Sequence, residues 1–134
     1  MTRIHFFKKS RTVLKETSHQ LLHMIEISGK EKDDFNREEL LAQWNYIRHD
    51  LENIFSTYEN IRPPIKYAFC YRRILNFLVD LHELVNLKTE YLSKIEYLDE
   101  EEIKLYRKKA ANKMAYLQYE CKELSQEVKK QLEQ

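Results

Sequence analysis

Glu16, His19, His23 and Glu26 are spaced 3, 4 and 3 residues apart, so on a helix they line one stripe. Two histidines at i and i+4 can share a zinc ion, and Glu16-x-x-His19 is half of the carboxylate and imidazole set that bundled helices use to hold metal pairs. These four residues are the candidate metal ligands. Against them, no second Glu-x-x-His occurs, no other segment offers a matching set, and the stripe falls opposite the apolar positions of its own helix. The expectation is therefore a solvated polar face, with no metal and no other cofactor.

Other reactive side chains are isolated. His82 lies beside Asp80 and Glu83 at the edge of an apolar arc, where a hydrogen-bonded structural histidine is expected, and His49 faces away from its helix seam. Cys70 and Cys121 lack metal-type spacing and sit among apolar neighbours, which predicts buried, reduced thiols. The chain has a single glycine, so backbone cradles for phosphate or an oxyanion have few ways to form, and neither a phosphate loop nor a nucleophile elbow is present. No enzyme is expected.

Charge is more informative than any motif. The net charge of the 134 residues is only +1, yet the first 15 hold Arg3, Lys8, Lys9, Arg11 and Lys15 without an acid. Between Glu59 and Asp80 lie Arg62, Lys66, Arg72 and Arg73, again without an acid. Phe6, Phe7, Tyr67 and Tyr71 are interleaved with these cations. That mixture suits a protein interface, where Tyr and Arg are enriched, or stacking on unpaired bases. Lys8, Lys9, Arg11, Arg62, Lys66, Tyr67, Arg72 and Arg73 are the candidate binding set. The plain alternative has Phe6, Phe7 and Tyr71 in the core and the charges on a solvated face. A near-neutral total weighs against nucleic acid, whose affinity comes mainly from phosphate neutralisation.

Helices must position these groups, since 34% charged residues with one Gly and two Pro suit helix surface rather than many short strands. The first helix runs from an N-cap at Thr2 to Ser28, with Val13, Leu14, Thr17, Leu21, Met24 and Ile25 on one side and Gly29 in a left-handed C′ position. A loop at 29–36 follows. Asn36 with Glu39 opens the second helix as N-cap and capping-box partner. Its seam, Leu40, Trp44, Ile47, Leu51, Ile54, Tyr58 and Ile61, is the clearest heptad in the chain, and Pro63 and Pro64 end it. Tyr58 and Tyr106 are expected to send their hydroxyls to the bundle edge.

The third helix starts near Ile65 and extends toward Tyr97 on Ile74, Leu78, Leu81, Val85, Leu92 and Ile95. Leu75, Phe77 and Leu84 widen its arc and predict the most buried helix of the set. Asp99 with Glu102, flanked by Leu98 and Ile103, carries a capping box and a hydrophobic staple that start the fourth helix.

The expected class is all-α, an antiparallel up-and-down bundle of about four long helices, with residues 1–134 forming a single domain. Such a bundle gathers the basic segments, with Lys129 and Lys130, at one end. Glu31, Asp33, Asp34, Glu38, Glu39 and residues 99–102 gather at the other, where Lys104, Arg107, Lys108 and Lys109 dilute the negative charge. No apolar run approaches the roughly 20 residues of a membrane span, and no secretory signal is recognised, so the expected compartment is the cytoplasm. The expected role is a small non-enzymatic regulatory or adaptor protein that binds another protein through a helix face or the basic pole, with homodimerisation open. Nucleic-acid or anionic-surface binding is the alternative, and a metal-binding bundle the third.

Overall fold

The computed structural model describes residues 1–32 and 35–134. Among these it contains four helices and no strand: α1 (Arg3–Gly29), α2 (Arg37–Glu59), α3 (Ala68–Lys94) and α4 (Glu100–Glu133). Single 3-10 turns follow α1 (Lys30–Lys32), precede α3 (Ile65–Tyr67) and follow it (Ile95–Tyr97). At about 1.5 Å per residue the helices are roughly 35 to 50 Å long.

Three helices begin where their capping residues predict. The Thr2 hydroxyl accepts from the His5 N–H (3.1 Å), Asn36 accepts from the Glu39 N–H (3.1 Å) and Asp99 accepts from the Glu102 N–H (2.8 Å). The return bond of the box, from the Asp99 N–H to the Glu102 carboxylate, closes at 3.3 Å. Each such cap contributes about 1 kcal/mol by satisfying amides that have no partner inside the helix.

The end of α1 departs from expectation. Gly29 is the last helical residue and does not take a positive φ. The Lys30 N–H bonds back to the Ile27 and Ser28 carbonyls, so the 3-10 turn satisfies the helix end without a left-handed residue. A Cβ at Gly29 would meet nothing within 4 Å.

Cross-helix bonds fix the topology. Arg3 donates to the Gln131 carbonyl (2.6 Å), which places the start of α1 beside the end of α4. Ser10 meets Tyr58 (2.6 Å) and Gln20 donates to Asp50 (3.2 Å), so α2 descends along α1. Arg48 reaches Asn86 (2.9 Å) and Thr89 (2.6 Å) on α3, and Lys113 of α4 reaches Glu83 (2.9 Å). All sequential neighbours are antiparallel, and α4 closes the ring against α1.

One core runs through all four helices and includes Phe6, Trp44, Ile47, Ile74, Leu81, Leu117 and Leu124. The wide arc of α3 does not make it the most buried helix, because α1 buries nine of its 27 residues and α3 the same number of 27. On α1 Ile27 is buried and Ile25 only half so, and Phe6, Phe7 and Ser10 carry the seam to the very start of the helix. Tyr58 also departs from expectation: its hydroxyl stays in the core, bonded to Ser10, because serine at that seam position leaves room and supplies a partner. No helix among the described residues is long and apolar enough to cross a membrane.

Candidate functional site

The start of α1, the connection between α2 and α3, and the end of α4 meet at one end of the bundle. The Phe6 ring lies 6.1 Å from that of Tyr67 and 6.5 Å from that of Tyr71, and Phe7 lies 5.0 Å from Tyr67. Tyr71 donates to the Glu59 carbonyl (2.8 Å). These aromatics are tied into the fold: Phe6 and Phe7 are fully buried, and Tyr67 and Tyr71 half-buried.

The cations divide into two groups. Lys8, Lys9, Arg11, Arg62, Lys66 and Arg72 are exposed, as are Lys129 and Lys130 from α4. Arg73 is not free, since its guanidinium binds Glu120 (3.2 Å) and Glu127 (2.8 Å); partial burial lowers its pKa, but the two carboxylates together outweigh that and hold it above the ordinary value. It clamps α3 to α4. Tyr67 likewise packs on Phe6 and Phe7, with Lys66 Nζ 5.9 Å from its ring, so among the described residues six of the eight singled out from the sequence present an exposed cation. Glu59 and Glu133 are exposed acids at the same end and temper its charge.

Two residues at this end escaped sequence reading. Ile65 is 94% exposed and Phe69 is 79% exposed, both beside Lys66 and within one turn or two of Arg72. The signal was present, because neither falls on the 3-4 spacing that runs back from Ile74 along α3. An end with a basic rim and uncovered apolar side chains suits association better than solvation.

The opposite end is less acidic than the sequence implies. Glu38, Glu39, Glu100, Glu101 and Glu102 are exposed, but Arg37 pairs with Glu96 (2.9 Å), and Asp33 and Asp34 lie outside the described residues. Glu31 does not add to a negative pole at all. Its carboxylate is buried and accepts from Lys88 Nζ at 2.8 Å, with side chains 4% and 5% exposed respectively. Lys88 Nζ also sits 5.8 Å from the Trp44 ring and 5.6 Å from the Tyr91 ring, and Arg107 donates to the Glu31 carbonyl (3.1 Å). This unit ties the α1–α2 connection to α3 and α4.

Glu16, His19 and Glu26 are exposed and His23 half-buried. Glu16 lines the groove between α1 and α2, whereas His19 lines the one between α1 and α4, so the stripe straddles two grooves. Among the described residues no group of three or more His, Cys, Asp and Glu side chains is placed to hold a metal ion. His82 is half-exposed, 3.3 Å from Glu52 and 3.4 Å from Asn86. His49 is exposed.

Both cysteines are free, Cys121 buried and Cys70 half-buried. Burial pushes both thiols up, Cys70 from an ordinary 9.0 to about 11, with Glu127 adding to the rise and Arg73 opposing it. The thiolate is the nucleophile, so at neutral pH neither sulfur is activated. Native alkylation by iodoacetamide at pH 7 to 8 should thus be slow and accelerate in denaturant, and the Cys70 rate should keep rising toward pH 11 instead of levelling near 9. Rapid labelling of the folded protein at pH 7 would contradict this environment. The sign for stability follows: the protonated Cys70 is favoured by folding, so its contribution is complete below pH 9 and lost as pH climbs through about 11.

Comparison of the chain with protein-family models, with curated proteins and with solved structures finds no match.

Proposed function

We propose that this chain is a small non-enzymatic regulatory or adaptor protein that binds another protein, using the basic end of the bundle as its contact surface. The observation that carries the proposal is convergence. Lys8, Lys9 and Arg11 on α1, Arg62 and Lys66 on the connection, and Arg72 on α3 come from distant stretches and remain exposed toward one end of the bundle, Lys8 and Lys9 on its α1/α2 side and Arg11 on its α1/α4 side. Ile65 and Phe69 stand uncovered beside Lys66 and Arg72. Clustered like charge raises the encounter rate with an acidic partner, and uncovered apolar groups supply the burial that holds it.

Capture from the source cell by the full chain and by an R62E/K66E/R72E variant tests this. All three residues are exposed, so the variant should fold. The expected result is a partner retained by the wild type, released by moderate salt and depleted about tenfold or more on the variant. Recovery of the same proteins by both, or of none by either, would sink the proposal.

The same exposed Phe69 and Ile65 within a basic rim also suit an anionic lipid surface, whereas nucleic acid loses support because Phe6, Phe7 and Tyr71 are occupied in packing. Retention on heparin or on anionic vesicles that the variant loses, with no protein partner captured, would shift the assignment to that second reading.

A further inference from the structure

Between α1 and α4 lie two depressions that share Ser18, Leu22, Ser125 and Lys129 and so form one trough. Along α1 it extends from Arg11 to Ile25, which at about 1.5 Å per residue is roughly 21 Å, or four helical turns. Leu14, Leu21, Ile25 and Val128 contribute to its apolar lining, and Leu22, where the two depressions join, is 59% exposed. A leucine that far out has no partner in the bundle.

The charges of the lining have one sign. Arg11 and Lys15 stand on the α1 side, Lys122 and Lys129 on the α4 side, and no Asp or Glu lines either depression. This is not general to the fold. The groove between α2 and α3, also floored by Leu51, Phe55, Leu78 and Val79, is bordered by Glu52 and Glu83. There Glu83 is paired with Lys113 and Glu52 lies against His82, so that rim is mixed, whereas Arg11, Lys15, Lys122 and Lys129 give the α1/α4 lining cations alone.

Resting on the protein-binding role proposed above, we infer that the α1/α4 trough docks a single acidic amphipathic helix of the partner. A straight groove between antiparallel helices accepts a third helix, whose apolar stripe would cover Leu22 while its flanking carboxylates meet Arg11 and Lys15 on one bank and Lys122 and Lys129 on the other. An extended strand has no sheet edge to join here. Arg11 and Lys129 also belong to the basic end, so the trough continues that surface down one flank of the bundle.

The test uses the isotopically labelled full chain and two synthetic peptides of about 18 residues, one with a leucine stripe flanked by Glu, the other with Lys in place of each Glu. Amide shifts on adding the acidic peptide should fall within 11–25 and 118–129, and the basic peptide should bind about tenfold or more weakly. Leu22→Glu and K122E/K129E alter exposed positions and should each weaken the acidic peptide by about tenfold, whereas K104E/K108E, exposed near the start of α4 at the opposite end and outside the trough lining, should change it far less. Shifts confined to 60–72 would overturn the trough and leave the basic end standing. Equal binding of both peptides, shifts spread over both grooves, or no binding up to about 1 mM would overturn the trough. The basic end itself stands or falls on the capture experiment, which does not involve these peptides.

Discussion

Replacing Lys88 with alanine is expected to remove about 3–5 kcal/mol of stability, because it leaves the Glu31 carboxylate buried without its cation. Glu31 is 4% exposed, so in the wild type the ammonium and not bulk water compensates its charge, and water could enter the variant only through the depression that Glu31 and Lys88 line with Arg107 and Met114. The stem of Lys88 also fills space beside Trp44 and Tyr91, and its charge sits over both rings, so packing and cation–π attraction are lost together. A control separates these effects. The double variant E31L/K88M keeps the volume and removes both charges, and should stay within about 1.5 kcal/mol of the wild type or exceed it. Urea unfolding followed by circular dichroism reads both, and a small loss in Lys88→Ala would show that the pair contributes little.

Trp44→Ala should cost a similar amount, about 3–5 kcal/mol, for a different reason. The indole is 0% exposed, sits on the α2 seam and touches the buried lysine, so its removal opens a cavity between α2 and α3 that surrounding side chains can only partly fill. Since a domain of this kind has about 5–15 kcal/mol in all, the variant would lose about a fifth of its stability or more. A fall in Tm of only a degree or two, by calorimetry, would mean the indole is not where the core is densest. The Trp44 and Lys88 substitutions share atoms in contact, so their combined effect should fall short of the sum.

How far the fold was legible depended on which signal a residue carried. The seam of α2 needed only alternate steps of 4 and 3, and Leu40, Trp44, Ile47, Leu51 and Tyr58 are all buried. Asp99 and Glu102 specify a reciprocal pair of hydrogen bonds within four residues, and the box forms. Such local geometry is fixed by neighbours in sequence. Lys88 was half legible: it occupies the gap in the α3 seam between Val85 and Leu92, where a lysine demands a buried acid. Which acid could not be read, because Glu31 reaches it from a connection 57 residues away.

Gly29 shows the opposite failure, since a glycine after a helical run has the usual mark of a left-handed cap. Here the chain tightens into a 3-10 turn that carries Glu31 inward toward Lys88, and that tertiary requirement outweighs the local preference. At the basic end the charges were visible but their availability was not. Arg73 and Arg72 are adjacent and alike in sequence, yet one is clamped by Glu120 and Glu127 and the other points to solvent. Only the facing helix decides that.

The proposed binding role depends on basic segments remote in sequence becoming neighbours at one end, and aromatic proton Overhauser contacts report that directly. Cross-peaks from the Phe6 ring to the rings of Tyr67 and Tyr71 are expected, in line with centroid separations of 6.1 and 6.5 Å. If Phe6 instead shows contacts to Tyr97 or Phe35 at the far end, the cations do not converge and the proposed contact surface does not exist.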